Sequence, residues 1–167
     1  ARTLGVPYAV IEGIALSVLD GYYAGFFHDD HDYLGFRVTR EAAACAYRQA
    51  GISSPRDELD VVECHDCFTI TELVNYEDLG LCDRGEAAAL LRSGATSAGG
   101  AIPVNLSGGL QACGHPVGAT GVRMIKEVAD QVIGRAGERQ VIGARRGVAH
   151  TLGGPGVASC VALIGAA

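Results

Sequence analysis

Apolar and polar residues recur along this chain with changing periods, and the changes delimit its elements. Residues 8–18 (YAVIEGIALSV) are β-branched and apolar and predict a strand, with Glu12-Gly13 as a bulge or bend inside it. An Ala-rich stretch predicts a helix capped by Thr39 and closed by Gly51. Residues 59–64 (LDVVEC) form a short, nearly continuous apolar run of the kind buried on both faces of a sheet. Thr69 with Glu72, and Asp83 with Glu86, have the spacing of capping boxes for two more helices. The first runs to about Asp78, the second to near Ser93-Gly94. Ile125, Val128 and Val132 recur at three and four and predict a helix with one apolar face over about 118–133. Arg145–His150 and Val157–Ile164 read as strands joined by LGGPG, an antiparallel hairpin. The order strand, helix, strand, three helices, strand, strand predicts one α/β domain over 1–167, a mixed sheet with helices packed on both faces.

Composition sharpens this picture. The 167 residues are 49% hydrophobic and only 19% charged, with mean hydropathy +0.22. A single domain of this size has limited interior, so the surplus points to burial against another domain or subunit. Net charge is -6 and Lys and Arg are scattered, which argues against nucleic-acid binding. No apolar run reaches the roughly 18 residues of a membrane span. The start of the chain lacks the charged and apolar regions of a secretory signal. The six cysteines are irregularly spaced, which suits reduced thiols and a cytoplasmic location.

Two groups look like metal ligands on paper. Cys64-His65-Asp66-Cys67 has the C-x-x-C spacing, but no second such pair exists and only Cys113 and His115 remain as further ligands, so no metal is expected. His28, Asp29, Asp30, His31 and Asp32 read as the solvated tip of a loop over 20–36. That loop holds Tyr22, Tyr23, Phe26, Phe27, Tyr33 and Phe36, and a loop this aromatic is expected to pack against a partner subunit or an apolar ligand.

The chemistry concentrates in and around Pro103–Gly121 (PVNLSGGLQACGHPVGATG), glycine-rich and with a buried-looking cysteine, Cys113. His115 falls on a glycine-lined approach to the N-terminus of the 118–133 helix, where free N–H groups and the helix dipole favour negative charge. Two further motifs hold histidines: His65-Asp66-Cys67-Phe68 after the buried strand, and His150-Thr151-Leu152-Gly153-Gly154 at a strand-to-turn junction. Strand ends and helix starts line the ligand crevice in open α/β sheets. Imidazole and thiol together supply what acyl transfer needs, a base near neutrality and a proton-exchanging thiol. Taken singly each motif has a plainer reading: Asp66 as a holder of backbone N–H groups at a cap, Cys67 as an ordinary buried thiol.

HDCF, then NLSGGLQACGHPVGATG, then AHTLGGPG, in this order, resemble the C-terminal half of thiolases. The likeness is strongest to the sterol-carrier-protein type and its bacterial lipid-transfer relatives, and it covers essentially the whole chain. The resemblance implies that His115 activates a nucleophilic cysteine and helps line a first oxyanion hole. His65 stands where most thiolases have an asparagine that positions an oxyanion-hole water. Cys67 matches the cysteine thought to act as acid/base in the sterol-carrier type, while His150 falls where ordinary thiolases place theirs, leaving two candidates for that role. Leu152 takes the place whose backbone N–H feeds a second oxyanion hole. Gly114, Asn105 and Phe68 are implied contacts to substrate or CoA, and the loop over 20–38 falls where the family's substrate-covering region lies.

The resemblance implies no cofactor or metal, with CoA or acyl-CoA as substrate. None of the six cysteines stands in the context of the thiolase nucleophile, which the family carries in its N-terminal half. An N-terminal half or second polypeptide is therefore expected, in a homo- or hetero-oligomer, and this chain alone is expected to be inactive. The implied reaction is reversible thiolytic cleavage of a 3-ketoacyl-CoA with a fatty or steroid acyl group. The alternatives are retro-aldol cleavage of a steroid side-chain acyl-CoA and a non-catalytic assembly half.

Overall fold

The computed structural model of the chain describes residues 3, 5–19 and 33–167. Its elements in order are β1 (Ala9–Val18), α1 (Arg37–Ala50), α2 (Pro55–Glu58), β2 (Val61–Glu63), α3 (Thr69–Asp78), α4 (Ala87–Arg92), α5 (Gly109–Cys113), α6 (Thr120–Val132), β3 (Arg146–Gly153) and β4 (Ala158–Ala166). The four strands form one mixed sheet in the order β1-β4-β3-β2. β4 is antiparallel to both neighbours, whereas β2 and β3 run parallel. A parallel bridge from Val62 to Val104 extends the sheet past β2.

The sheet separates two cores. On one face Ala42, Ala43, Ala46 and Tyr47 of α1 pack with Val62, Val148, Val161 and Leu163 and with Tyr76, Leu79, Leu81 and Leu90. On the other, Met124, Val128 and Val132 of α6 cover Val61, Ala149, Ala162 and Ile164. The three- and four-residue recurrence in 118–133 is thus a core-facing stripe, and every residue of β2 is buried, as its unbroken apolar run implied.

β1 is covered on one side only. The pairing of β1 with β4 slips between Ile11 and Gly13, a bulge at the position the Glu12-Gly13 pair suggested. Gly13 then lies so close to α1 that a Cβ there would run into the Ala46 carbonyl. Gln49 of α1 is hydrogen-bonded to both Ile14 N and Ile14 O, and Glu41 to the Ser17 hydroxyl. Ile14, Leu16 and Val18 alternate with these inward positions and stay exposed, Leu16 at 68%. Phe68, Ile70, Val117 and Val122 are exposed apolar residues elsewhere, Val117 at 84%. The hydrophobic surplus sits in these exposed side chains.

The helix starts differ from the capping expected. Phe36, Phe68 and Glu86 are the N-cap residues of α1, α3 and α4, and none makes a side-chain cap bond. Thr39 lies a turn further in and is wholly buried, because its hydroxyl is drawn inward to His150 and Ser159. Glu72 instead accepts a hydrogen bond from the Tyr76 hydroxyl at 2.7 Å. Gly51, by contrast, closes α1 at φ 69 as expected. α2 and α5 carry no sequence signal strong enough to read, being four and five residues long. Cys113 is exposed rather than buried, and the six cysteines are free. Of the aromatic loop, residues 20–32, with Tyr22, Tyr23, Phe26, Phe27 and His28 to Asp32, lie outside the described residues. Phe36, at its end, lies against Gly156 of the hairpin turn, and its N–H is held by Asp78, which also pairs with Arg40 at 2.9 Å. No helix among the described residues is long and apolar enough to cross a membrane.

The closeness of β1 to α1 can be tested. Gly13→Ala is expected to lower stability by roughly 1–3 kcal/mol, the usual range for overpacking against backbone. Gly118→Ala, where a Cβ meets nothing within 4 Å, should change it by less than about 0.5 kcal/mol. Urea unfolding of the two variants is the check, and equal effects would show that the contact does not constrain the fold.

Candidate active site

Because β2 and β3 are parallel, their C-terminal ends reach the same side of the sheet. His65-Asp66-Cys67 leaves β2 there, and His150-Thr151-Leu152 ends β3 there. The first turn of α6 lies over the same place, since Gly121 packs against the Thr151 methyl. The structure so gathers all three histidine motifs at one end of the sheet, where crevices form in α/β folds.

His65 and His115 meet edge to face, with ring centroids 5.1 Å apart and an interplanar angle of 84°. His65 is 5% exposed, and its Nδ1 is buried with no hydrogen-bond partner among the described residues. Burial first, and then the neighbouring His115, lower its pKa from 6.5 to about 4, with Asp66 opposing them. The ring is therefore neutral near neutral pH.

His115 is exposed and approaches from the glycine-rich loop. Gly114 makes the turn into it at φ 83, ψ 167, a conformation open to glycine because it has no Cβ. The His115 Nδ1 lies 2.8 Å from the Thr120 hydroxyl oxygen, and that hydroxyl donates to the Pro116 carbonyl. With the Thr120 hydrogen committed, Nδ1 is the protonated nitrogen of the neutral ring and Nε2 keeps its lone pair. An exposed imidazole with a free lone pair is a base; a buried neutral one beside it is a hydrogen-bond donor or acceptor.

Cys67 is part-buried, packs on the α6 core, and has a weak contact of 3.8 Å from Sγ to the Thr71 hydroxyl. Phe68 is 69% exposed next to it. Asp66 does act at a helix start: it accepts the Leu110 N–H at 2.7 Å, at the beginning of α5. The Gln111 amide reaches back to the Asp66 and Cys67 carbonyls. The Asn105 side chain accepts the Cys64 N–H at 2.8 Å through its amide oxygen, and its amide nitrogen lies 3.6 Å from Cys64 Sγ. His150 is fully buried, with both ring nitrogens engaged. Leu152 has a buried side chain and lies beyond Gly147–Ala149, where β3 pairs with β2. Asn75, Thr39 and Thr120 support these groups. Thr39, read from the sequence as a cap, bonds instead to His150 and Ser159 across the chain. Asn75 bonds to the His65 carbonyl, and Thr120 locally to His115 and Pro116. No cluster of three or more potential metal ligands occurs among the described residues.

Residues 24–166 match a family model described as "Thiolase C-terminal domain-like". The chain is 45% identical over 134 residues to an acetyl-CoA acetyltransferase of Methanothermobacter thermautotrophicus, covering 80% of this chain and 34% of that protein. It is 46% identical over 120 residues to human sterol carrier protein 2, covering 72% of this chain and 22% of that one. Among solved structures, a chain of the Ltp2-ChsH2(DUF35) aldolase superposes with TM-score 0.79 at 26% identity, covering 96% of this chain and 40% of its own. This chain spans about a third or less of the length of the first two relatives.

The lowered histidines carry a pH signature. His65 and His150 bind a proton more weakly folded than unfolded, with pKa values lowered from 6.5 to about 4 and about 3. Their contribution is complete above about 6.5 and is lost as pH falls toward those values. Glu63 and Glu72, raised by burial, act oppositely, losing stability as pH rises above 4.5. Unfolding stability measured from about pH 7 down to about pH 4.5 isolates the histidine part by difference. His65→Gln is expected to show a weaker loss on acidification than the parent chain. An unchanged pH dependence would mean that His65 is not held neutral.

Proposed function

The chain belongs to the thiolase C-terminal-domain family, and from that premise we propose that it forms the C-terminal half of an acyl-CoA active site that cleaves 3-ketoacyl-CoA by thiolysis. The observation that carries this reading is the edge-on pair of His65 and His115 at one end of the parallel strands. A nucleophilic cysteine, supplied by an N-terminal half or second polypeptide, gives its proton to His115 Nε2 and attacks the 3-keto carbon. The bond between C2 and C3 breaks, leaving an acyl thioester on the cysteine and an acetyl-CoA enolate. N–H groups from His65 and His115 stabilise the enolate oxygen, and Cys67 delivers a proton to C2. Free CoA then gives its thiol proton to the Cys67 thiolate left by the first step and attacks the acyl thioester. The shortened acyl-CoA is released, and the departing cysteine takes its proton back from His115. The Leu152 amide is the proposed donor to the tetrahedral oxygen of that second step.

The exposed apolar residues Val117 and Val122, with Phe68 and Ile70, support a missing half that covers them. An oligomer of such complete units, working on CoA substrates without a bound cofactor, is part of the same proposal. A fatty or steroid acyl group fits the aromatic character of the loop over 20–38. A second reading, retro-aldol cleavage of a steroid side-chain acyl-CoA, is favoured by the structural likeness to an aldolase. Such lipid-transfer relatives are expected to depart from histidine at HDCF and GHP, whereas this chain keeps both. That favours thiolysis.

Product analysis on the complete enzyme separates the two. A new thioester that forms only with free CoA supports thiolysis, and a ketone released without CoA supports the aldolase. His115→Ala and Cys67→Ala should each lower kcat/KM by about 10²-fold or more, the usual worth of a positioned acid or base. Activity within a few-fold of the parent for His115→Ala would overturn its role.

A further inference from the structure

His65 lies two residues past the last paired residue of β2, Glu63, so the sheet ladder does not hold it. Its main chain is held all the same. The His65 N–H donates to His150 Nδ1 at 3.4 Å, and its carbonyl accepts from Asn75 Nδ2 at 2.7 Å. Both supporting side chains have zero exposure. The other His150 nitrogen, Nε2, lies 3.1 Å from the Thr39 hydroxyl oxygen, and that hydroxyl donates to Ser159 Oγ at 3.3 Å.

These bonds fix the tautomer. With the Thr39 hydrogen given to Ser159, the Thr39 oxygen accepts, so Nε2 of His150 carries the hydrogen. Nδ1 keeps the lone pair and spends it on the His65 N–H. A neutral imidazole has one donor and one acceptor, and both are used here on the protein itself.

We propose that His150 is a positioning residue, which together with Asn75 brackets the main chain of His65 and so aims its ring at His115, and that His150 does not itself transfer a proton. The proposal rests on the acyl-CoA reading for what His65 does, but the bracket stands on geometry alone. To take up a proton, His150 would have to release the His65 N–H and become charged among Thr39, Ser159 and the His65 main chain. Burial, and then the nearby His65 ring, keep it neutral, with its pKa lowered to about 3. Of the two acid/base candidates, Cys67 and His150, the bracket leaves Cys67.

The test begins with nitrogen NMR of the histidine rings in the protein as isolated, with its partner half where one is present. The expected result is an Nε2–H His150 with an unprotonated, hydrogen-bonded Nδ1, unchanged from about pH 5 to about pH 9. A His150 that titrates in that range, or carries its hydrogen on Nδ1, overturns the proposal. This readout needs no turnover, so failure of the acyl-CoA reading leaves it decisive.

The second arm uses the complete enzyme. His150→Ala should lower kcat by about tenfold or more with KM little changed. His150→Asn, whose carbonyl can accept the His65 N–H, should recover most of that loss with the same pH–rate profile. Thr39→Val, near in shape, serves if the alanine variant does not fold, and should lower kcat without moving the profile. A displaced limb of the profile in His150→Asn, or no recovery over alanine, overturns the proposal.

Discussion

Residues 62–67 are fastened to residues 103–111 by a run of bonds in which side chains replace a strand ladder, and the site depends on it. The Val62 N–H reaches Pro103 O, and Asn105 N–H reaches Val62 O, each by ordinary backbone pairing. From there side chains take over. Glu63 accepts from the Ser107 hydroxyl at 2.7 Å, Asn105 takes the Cys64 N–H, Asp66 takes the Leu110 N–H, and Gln111 spans the Asp66 and Cys67 carbonyls. Removing one partner of such a buried pair strands the other, at a cost of about 1–3 kcal/mol. Asp66 sits so near Gly109 that a Cβ there would collide with its carboxylate. The glycine is required by this contact and by its φ of 60.

The same run carries a buried charge. Glu63 is 2% exposed, and burial raises its pKa against the pull of Ser107 and Arg123. Arg123, from α6, lies 3.6 Å from Glu63 and donates to Ser107 Oγ at 2.8 Å. Breaking a buried pair leaves an uncompensated charge, so β2, the glycine-rich loop and α6 are held in one relation. His65 on the first and His115 before the last are set against each other by this relation.

How much of this was legible follows from how far each signal reaches. Periodicity is a local property with one buried face as its cause, so β1, β2, α6 and the closing hairpin could be read from 8–18, 59–64, 118–133 and the LGGPG turn. The bulge at Glu12 was legible because the glycine marks it in place. Capping failed where a distant partner outbid the helix end: Thr39 bonds to His150, 111 residues away. α5 was hidden because its five residues begin in Gly108-Gly109, a composition that argues for loop. The site motifs were legible as residue types near strand ends. The plainer reading of Asp66 as a holder of backbone N–H groups was legible too, but not that its partner is Leu110 across the loop or that Asn105 bonds to Cys64; those follow from the cross-loop contacts above.

Buried His65 and its exposed neighbour His115 share an electrostatic constraint that bears on the proposed chemistry. Proton uptake by His65 is opposed first by desolvation and then by charge repulsion with its neighbour His115, 5.1 Å away centre to centre. A cationic hole would attract any anion in the ground state, including the phosphates of CoA itself. A neutral N–H instead interacts modestly with a ketone and strongly with an oxygen that is becoming negative. Only interactions that grow toward the transition state raise kcat. In the proposed reaction the burial of His65 and the bracket behind it would serve one end: an imidazole held uncharged and fixed in direction, ready for charge that appears only during that reaction.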